Sequence, residues 1–256
     1  MKKKSTRLWQ VYLLILSVLI IMSPVSAAFA RQQSQEDDAE KKALALLEEL
    51  SPEERVGQLF LVTFKGREIN ENTQIYDLVA NHHVCGVMLL ASNDNYNGPE
   101  ETTASTYQLI ADLQALEWEA AGADFVDTVT KEVVNRNYLP LLIGITQEGG
   151  GYPHDQMLNG MTPLPNQMAI GATWEPELAK QVGQVLGTEL HLLGFNLLLG
   201  PSLDVADTYQ AEYGENLGAR VFGGSPFWVG MMGQAYISGI HEGSGGQLAV
   251  IAKHFP

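Results

Sequence analysis

The sequence predicts an α/β fold built on a parallel sheet, and two observations carry this prediction. Apolar runs alternate along the chain with segments of helical periodicity. Each run is apolar throughout rather than at every second residue, which is typical of strands that are buried on both faces. Strands of this kind, separated by helices, form parallel sheets that helices cover on both sides.

The predicted elements follow one another in order from Ala43. A helix over 43–50 leads into a second helix at Ser51, where an N-cap, a proline at the first helical position and Glu54 at the capping-box position occur together. Further helices are predicted over 72–83, over 101–118, from the cap residue Thr173 to Gly194, and from Ser225. The five predicted strands are the apolar runs QLFLVTF, CGVMLLA, LPLLIGI, FNLLLG and QLAVIAK.

Two arrangements of such units compete, an open doubly wound sheet and a closed barrel of eight strand–helix units. The glycines after the third strand do not form a dinucleotide fingerprint. Polar residues instead follow each of the five strands, and in a barrel these strand ends converge on one face. A single polar strand end would indicate only contact with water, but five in succession favour the barrel: Lys65, Arg67, Asn93, Asp94, Gln147, Glu148, Asp204, Lys253 and His254.

Charge and cysteine content restrict the class of ligand. The net charge of −15 opposes nucleic acid and anionic membranes as partners, because both are polyanions. A neutral substrate fits better. Cys85 is the only cysteine, so neither an intrachain disulfide nor a cysteine zinc cluster is predicted.

The first thirty residues have the pattern of an export signal. Four basic residues precede the apolar run Val11–Met22, and Ala28-Phe29-Ala30 supplies a cleavage site. We expect cleavage before Arg31, with an uncleaved membrane anchor as the alternative. The predicted organisation is therefore a signal peptide over 1–30, a polar lead and first helix over 31–50, and the barrel over 51–256.

Four ordered blocks of this sequence resemble the N-terminal domain of glycoside hydrolase family 3. They are PLLIGITQEGG with TPLPNQMAIGAT, then GTELHLLGFNLLLGPSLDV, then ARVFGGSP, and finally AKHFP. The KHFP form is similar to that of the single-domain bacterial β-N-acetylhexosaminidases. The resemblance implies a TIM-like (β/α)8 barrel, incomplete in this chain, which holds about the first five strand–helix units.

The resemblance also implies retaining hydrolysis of β-linked sugars, a reaction that needs no cofactor and no metal. The nucleophile and the acid/base of the subgroup would lie beyond Pro256, so no catalytic residue is predicted within the chain. We interpret the chain as a truncated product or fragment. A genuine short protein is the alternative, although it would leave open edges on a buried sheet.

The substrate-binding residues are also implied by the resemblance. Arg220, Lys253 and His254 would donate hydrogen bonds to sugar hydroxyls. Without the resemblance, Arg220 would be interpreted as a surface ion pair and His254 as a core histidine.

Two further candidate positions depart from the family pattern. Thr146 stands where members usually carry aspartate, and His154 stands in place of an expected arginine. Glu148 matches a carboxylate that the family uses for structure.

Three functions stay open: an exported hydrolase with shifted sugar preference, a noncatalytic carbohydrate-binding relative, and a structural protein. The expected partner is a β-linked oligosaccharide or glycoside, with no nucleic acid and no partner protein. The sequence encoded beyond Pro256 would separate the first two.

Overall fold

The structure of the chain is a computed structural model that describes residues 38–123, 125–126, 133–134, 136–206 and 218–254. The chain divides into two compact units, residues 1–50 and 51–256. In the first unit, residues 38–49 are helical and form helix α1. The predicted signal peptide and the start of the polar lead lie outside the described residues, so export stays a prediction.

The second unit contains the sheet. Five of its strands pair in parallel, and each of the five lies beside the next parallel strand along the chain. A doubly wound sheet would reverse its strand order at a switch point, so this order is that of a barrel segment. The predicted parallel strands are confirmed. The strands are β1 (Leu61–Val62), β2 (Gly86–Met88), β3 (Phe125–Val126), β4 (Val133–Val134), β5 (Leu142–Ile145), β6 (Leu197–Ser202) and β7 (Ala249–Lys253).

Helices connect the parallel strands, and the strands in the middle of the sheet are buried, whereas β1 and β7 at its edges are partly exposed. The side chains of Val87, Leu89, Ile143 and Ile145 are fully buried, as expected for a sheet covered on both faces. Within the described residues, no helix is both long and apolar enough to cross a membrane. The helices of this unit are α2 (Pro52–Gly57), α3 (Gln74–Ala80), α4 (Thr102–Ala121), α5 (Gln167–Gly171), α6 (Pro176–Leu193) and α7 (Pro226–Gly243).

Helix boundaries test the predicted caps. At α2, Glu54 N donates to Ser51 Oγ (3.2 Å) and Ser51 N donates to a Glu54 carboxylate oxygen (2.8 Å), which confirms the capping box. Gly194 ends α6 with a φ of 96°, as predicted. Thr173 is not the cap of α6, because Glu175 occupies that position. The Thr173 hydroxyl donates instead to Ile170 O at 2.7 Å, which stabilises the turn between α5 and α6.

An antiparallel pair, β3 and β4, lies between α4 and β5. The sequence predicted no strand there. Each strand has only two described residues, which is too short a run for a period of two to be recognised. The pair is separate from the parallel sheet, so the barrel interpretation does not change.

Helices α6 and α7 pack side by side along their lengths. Gly183 and Gly187 of α6 face the carbonyl groups of Tyr236 and Ile240 in α7, and Gly239 and Gly243 of α7 face carbonyls of α6. A Cβ atom on any of these glycines would overlap the facing carbonyl. The pairing runs in the same direction along both helices, so α6 and α7 are parallel neighbours.

Candidate active site

The carboxyl ends of β5, β6 and β7 carry the polar side chains that the sequence predicted would meet. Glu148 follows β5, Asp204 follows β6, and Lys253 is the last residue of β7. Arg220 ends a short 3₁₀ turn, Gly218–Arg220, that precedes α7. Because parallel strands finish at the same edge of the sheet, these side chains reach a common region.

Glu148 is the centre of a buried ion cluster. Its side chain is 0% exposed, and its Oε2 lies 3.3 Å from Lys253 Nζ and 3.4 Å from Arg220 Nη1. A carboxylate withdrawn from water needs such partners, because desolvating an unpaired charge costs several kcal/mol. One carboxylate between two cations leaves a net positive charge whose remaining N–H groups can donate to a ligand.

The cluster retains unused hydrogen-bonding capacity. Among the described residues, neither Glu148 Oε1 nor Arg220 Nε has a hydrogen-bond partner. Lys253 is partly exposed, whereas Arg220 is buried. The interpretation of Arg220 as a surface ion pair is therefore wrong.

His254 belongs to a second, more exposed group. Its Nδ1 lies 2.7 Å from Asp204 Oδ2, and Ser202 Oγ donates to the same oxygen at 2.6 Å. Burial alone would raise the pKa of Asp204, but the hydrogen bonds from Ser202 and His254 outweigh it and hold that pKa below its ordinary value.

This pairing fixes the tautomer of His254. Because an ionised carboxylate only accepts hydrogen bonds, Nδ1 must carry the proton, and Nε2 of the neutral ring is then an acceptor. The imidazole is half exposed, so the interpretation of His254 as a core histidine is wrong.

Thr146 directly follows β5, and its hydroxyl is hydrogen-bonded to another side chain of the protein. Its Oγ1 accepts a hydrogen bond from Gln156 Nε2 at 3.1 Å. The Oε1 atom of Gln156 accepts from Ala91 N at 2.8 Å, so one side chain joins the ends of β2 and β5. Thr146 thus has a neutral hydroxyl, already bonded, where the resemblance implies a carboxylate.

Asp155 shapes the glycine-rich loop and was not predicted. It accepts three backbone N–H groups, from Glu148 and Gly149 at 2.7 Å and from Gly151 at 2.8 Å. Gly149 has a φ of 79° and packs against the Asn166 backbone, where a Cβ would not fit. The loop therefore has a fixed form that holds Glu148 at the strand end. An aspartate shortly after three glycines was the available signal.

His154 lies within electrostatic range of the ion cluster. Burial lowers its pKa, and the charges of Arg220 and Lys253 lower it further against the opposing effect of Glu148. The imidazole is therefore neutral near pH 7, in contrast to the permanently charged arginine that the resemblance implies.

All five predicted site residues lie at or beyond the carboxyl ends of β5, β6 and β7. Arg220 and Lys253 share Glu148, His254 follows Lys253 and binds Asp204, and His154 is coupled electrostatically to the cluster. The hydroxyl of Thr146, at the end of β5, is bonded to Gln156 rather than to the ion cluster. No group of three potential metal ligands occurs in the part of the chain that the structure describes.

A parallel barrel segment with a cationic cluster at its strand ends defines a class of α/β proteins that bind ligands at the carboxyl face of a TIM-like barrel. Within that class the chain has a clear assignment. Residues 51–256 match the Glycosyl hydrolase family 3 N terminal domain. The chain belongs to this family.

Three similar proteins illustrate the relationship. A β-hexosaminidase of Hydrogenovibrio crunogenus is 29% identical over 68% of this chain and 40% of its own length. A β-N-acetylglucosaminidase/β-glucosidase of Cellulomonas fimi is 28% identical over 87% of this chain and 32% of its own length. The solved family 3 β-N-acetylglucosaminidase of Paenibacillus sp. FPU-7 matches 80% of this chain and 33% of that chain, with a TM-score of 0.64 and 29% identity. This chain therefore spans well under half the length of these relatives.

Proposed function

We propose that this chain carries the sugar-binding part of a retaining glycosidase that acts on β-linked N-acetylhexosaminides. The observation that supports this proposal most directly is the cluster of Glu148, Arg220 and Lys253 at the strand ends. Two of the relatives are named for hydrolysis of N-acetylglucosaminides or hexosaminides, and this supports the sugar type. A β-glucoside is the alternative substrate, because the Cellulomonas fimi relative is named for both activities.

In this proposal Glu148 is not a catalytic acid or nucleophile. Its side chain is fully buried and its Oε2 is bonded to two cations, so it positions donors rather than reaching a sugar carbon. Arg220 and Lys253 then donate to sugar hydroxyls. Charge-assisted hydrogen bonds of this kind contribute on the order of 1.5 to 3 kcal/mol each.

We propose further that the nucleophile and the acid/base are supplied by polypeptide beyond Pro256. The resemblance implies this position for both groups, and the share of the relatives' length that this chain covers supports it. The 256-residue chain alone is then expected to show no turnover.

The proposal includes export. Lys2, Lys3, Lys4 and Arg7 followed by the apolar run Val11–Met22 support a secretory signal with cleavage before Arg31. N-terminal sequencing of the protein recovered from its native host tests this. An intact segment 1–30 on membrane-bound protein would show an anchor instead.

The test of function uses a longer form of the chain that includes the residues encoded after Pro256. Lys253→Ala and Arg220→Ala are each expected to lower kcat/KM on chromogenic β-N-acetylglucosaminide about tenfold to a hundredfold, from the energies above. Lys180→Ala is the matched control, because it removes a surface ion pair with Glu242 at 2.7 Å. Full activity in both site variants would overturn the assignment.

A noncatalytic carbohydrate-binding protein is the second candidate. It is favoured by the neutral side chains of Thr146 and His154 at two positions where the family pattern has a charged pair. Sugar binding without turnover in the longer form would select this candidate.

A further inference from the structure

Three aromatic side chains form an exposed cluster, which we call the aromatic platform: Trp174, Phe227 and Trp228. The ring centroids of Trp174 and Trp228 lie 5.1 Å apart at an interplanar angle of 85°, and those of Phe227 and Trp228 lie 5.5 Å apart at 78°. Trp174 is 59% exposed and Phe227 is 67% exposed, while Trp228 is half buried beneath them. Large apolar side chains exposed together mark interaction sites more often than isolated ones do.

The backbone holds Trp174 outward. Its φ of 56° is in the left-handed region, which is an outlier for a bulky residue. The turn persists because Trp174 N donates to Gly171 O at 3.1 Å and Glu175 N donates to Thr173 Oγ1 at 3.1 Å. Strain of this kind is found where a side chain is fixed in place for binding.

The platform lies on the same face as the ion cluster. Trp174 directly precedes α6, and Phe227 and Trp228 are in the first turn of α7. These two parallel helices begin at the end where β5 and β6 finish. Moreover, Gly171, three residues before Trp174, packs directly on the carbonyl of Phe222, two residues after Arg220. A ligand held by Arg220 could therefore continue towards the platform.

Charge limits what the platform can bind. Glu175 and Glu177 follow Trp174 closely in the chain, and the whole chain carries a net charge of −15. Nucleic acid and anionic lipid are disfavoured by this charge. Pyranose rings have apolar C–H faces that pack on exposed aromatic rings, while their hydroxyls stay hydrated at the ring edge. A neutral glycan meets both conditions.

We propose that the aromatic platform is a second carbohydrate-binding site, which holds further units of a neutral β-linked glycan chain beside the ion cluster. This inference rests on the proposed function for the identity of the ligand. It extends that function by naming a polymer or long oligomer, rather than a single glycoside, as the ligand class.

The test measures binding of chitohexaose, cellohexaose and N-acetylglucosamine to the full chain by calorimetry. We expect Trp174→Ala and Phe227→Ala each to raise the Kd of the hexaose at least tenfold, with no change in binding of the monosaccharide. Trp118→Ala is the matched control. Trp118 is also exposed and in an edge-to-face pair, with Tyr138, but it lies near the carboxyl end of α4. Helix α4 precedes β5, so this residue is at the opposite end of the strands.

The outcomes separate this proposal from the proposed function. Hexaose binding that depends on Trp174 and persists in Lys253→Ala supports the platform even if no glycosidase activity is found. Turnover of a short chromogenic glycoside, with hexaose affinity equal in the wild type, Trp174→Ala and Phe227→Ala, overturns the platform and leaves the enzyme assignment intact. No hexaose binding by the wild type, or a loss of self-association in Trp174→Ala without any effect on sugar, also overturns it.

Discussion

Two carboxylates of this chain pair with a lysine in very different surroundings. Glu242 lies 2.7 Å from Lys180 on the surface, and the buried Glu148 lies 3.3 Å from Lys253. Distance alone would rank the surface pair as the stronger. Burial reverses this order, because water screens the surface pair and cannot replace a lost partner at Glu148.

We therefore expect Glu148→Gln to lower the free energy of unfolding by about 3 kcal/mol, since it leaves the charges of Arg220 and Lys253 without their carboxylate. The control Glu242→Gln should cost far less, because water screens its pair with Lys180. Urea unfolding of the two variants measures both values. Equal losses would contradict the structural role of Glu148.

His83 predicts an acid-sensitive stability. Burial, together with the charge of Arg136, lowers the pKa of His83 from 6.5 to about 4. The unfolded chain then binds more protons than the folded chain between these values, so stability falls as the pH is lowered through this window. The loss is about 1.4 kcal/mol per pH unit.

His83→Asn is expected to flatten this acid limb, because asparagine tolerates the φ of 52° at this position. The free energy of unfolding of each variant is compared with that of the wild type at the same pH. Burial raises the pKa of Glu117 to about 7, so this residue makes stability rise as the pH falls, opposite to His83. His82→Asn is the control, as His82 is exposed beside Asp77. The free energy of unfolding is plotted against pH from pH 7 to pH 4. The same slope in wild type and His83→Asn would refute the assignment.

Part of the candidate site could be predicted from single residues of the sequence. The sequence placed Lys253, Arg220 and His254 at one face, because strand ends and family motifs are local patterns. It could not show that Glu148 joins Arg220 across 72 residues, or that Asp155 collects three N–H groups. Such contacts depend on the path of the loop, which no periodicity encodes.

At the scale of elements, the close contact of α6 and α7 depends on glycine. A side chain at Gly187 would meet the Ile240 carbonyl, so Gly187→Ala must push the helices apart. We expect a loss of about 3 kcal/mol in unfolding free energy, as for overpacked cores.

Gly230→Ala is the matched control on α7, because open space surrounds Gly230. Alanine favours the helix more than glycine does, so this change should stabilise the protein by up to about 1 kcal/mol. Thermal unfolding of both variants gives the comparison. A destabilised Gly230→Ala, or a neutral Gly187→Ala, would contradict the packing described above.

The elements were predicted well where they are long and apolar. All five parallel strands overlap predicted apolar runs, and β2, β5 and β6 are also buried, as such runs indicate. The start of α6 was predicted wrongly, because local hydrogen bonds decide where this helix begins. Thr173 has the side chain of a cap, but it bonds back to Ile170, and the helix starts at the proline that follows Glu175.

At the scale of the whole molecule, β1 and β7 are the two edges of the parallel sheet within the described residues. Both edges expose apolar side chains, with Leu61 of β1 39% exposed and Ile251 of β7 51% exposed. Unpaired strand edges of this kind promote association between chains.

We expect the 256-residue chain to self-associate at micromolar concentration and Ile251→Lys to reduce this association, because a charge on an edge strand opposes pairing. Light scattering over a range of protein concentrations measures this self-association. Leu192→Lys is the control, since Leu192 is equally apolar and exposed but lies on α6. A wild-type chain that stays monomeric throughout would contradict this expectation.

The strand order β1-β2-β5-β6-β7 has a consequence for synthesis on the ribosome. Each parallel strand after β1 meets a partner that has already been translated, so the sheet can grow in the order in which the chain emerges. The ion cluster must wait, because Glu148 is translated long before Arg220 and Lys253. During that interval the nascent chain holds a carboxylate without its cations. The growing sheet also presents an unpaired strand edge throughout this interval, and such an edge is prone to aggregation until the next strand arrives.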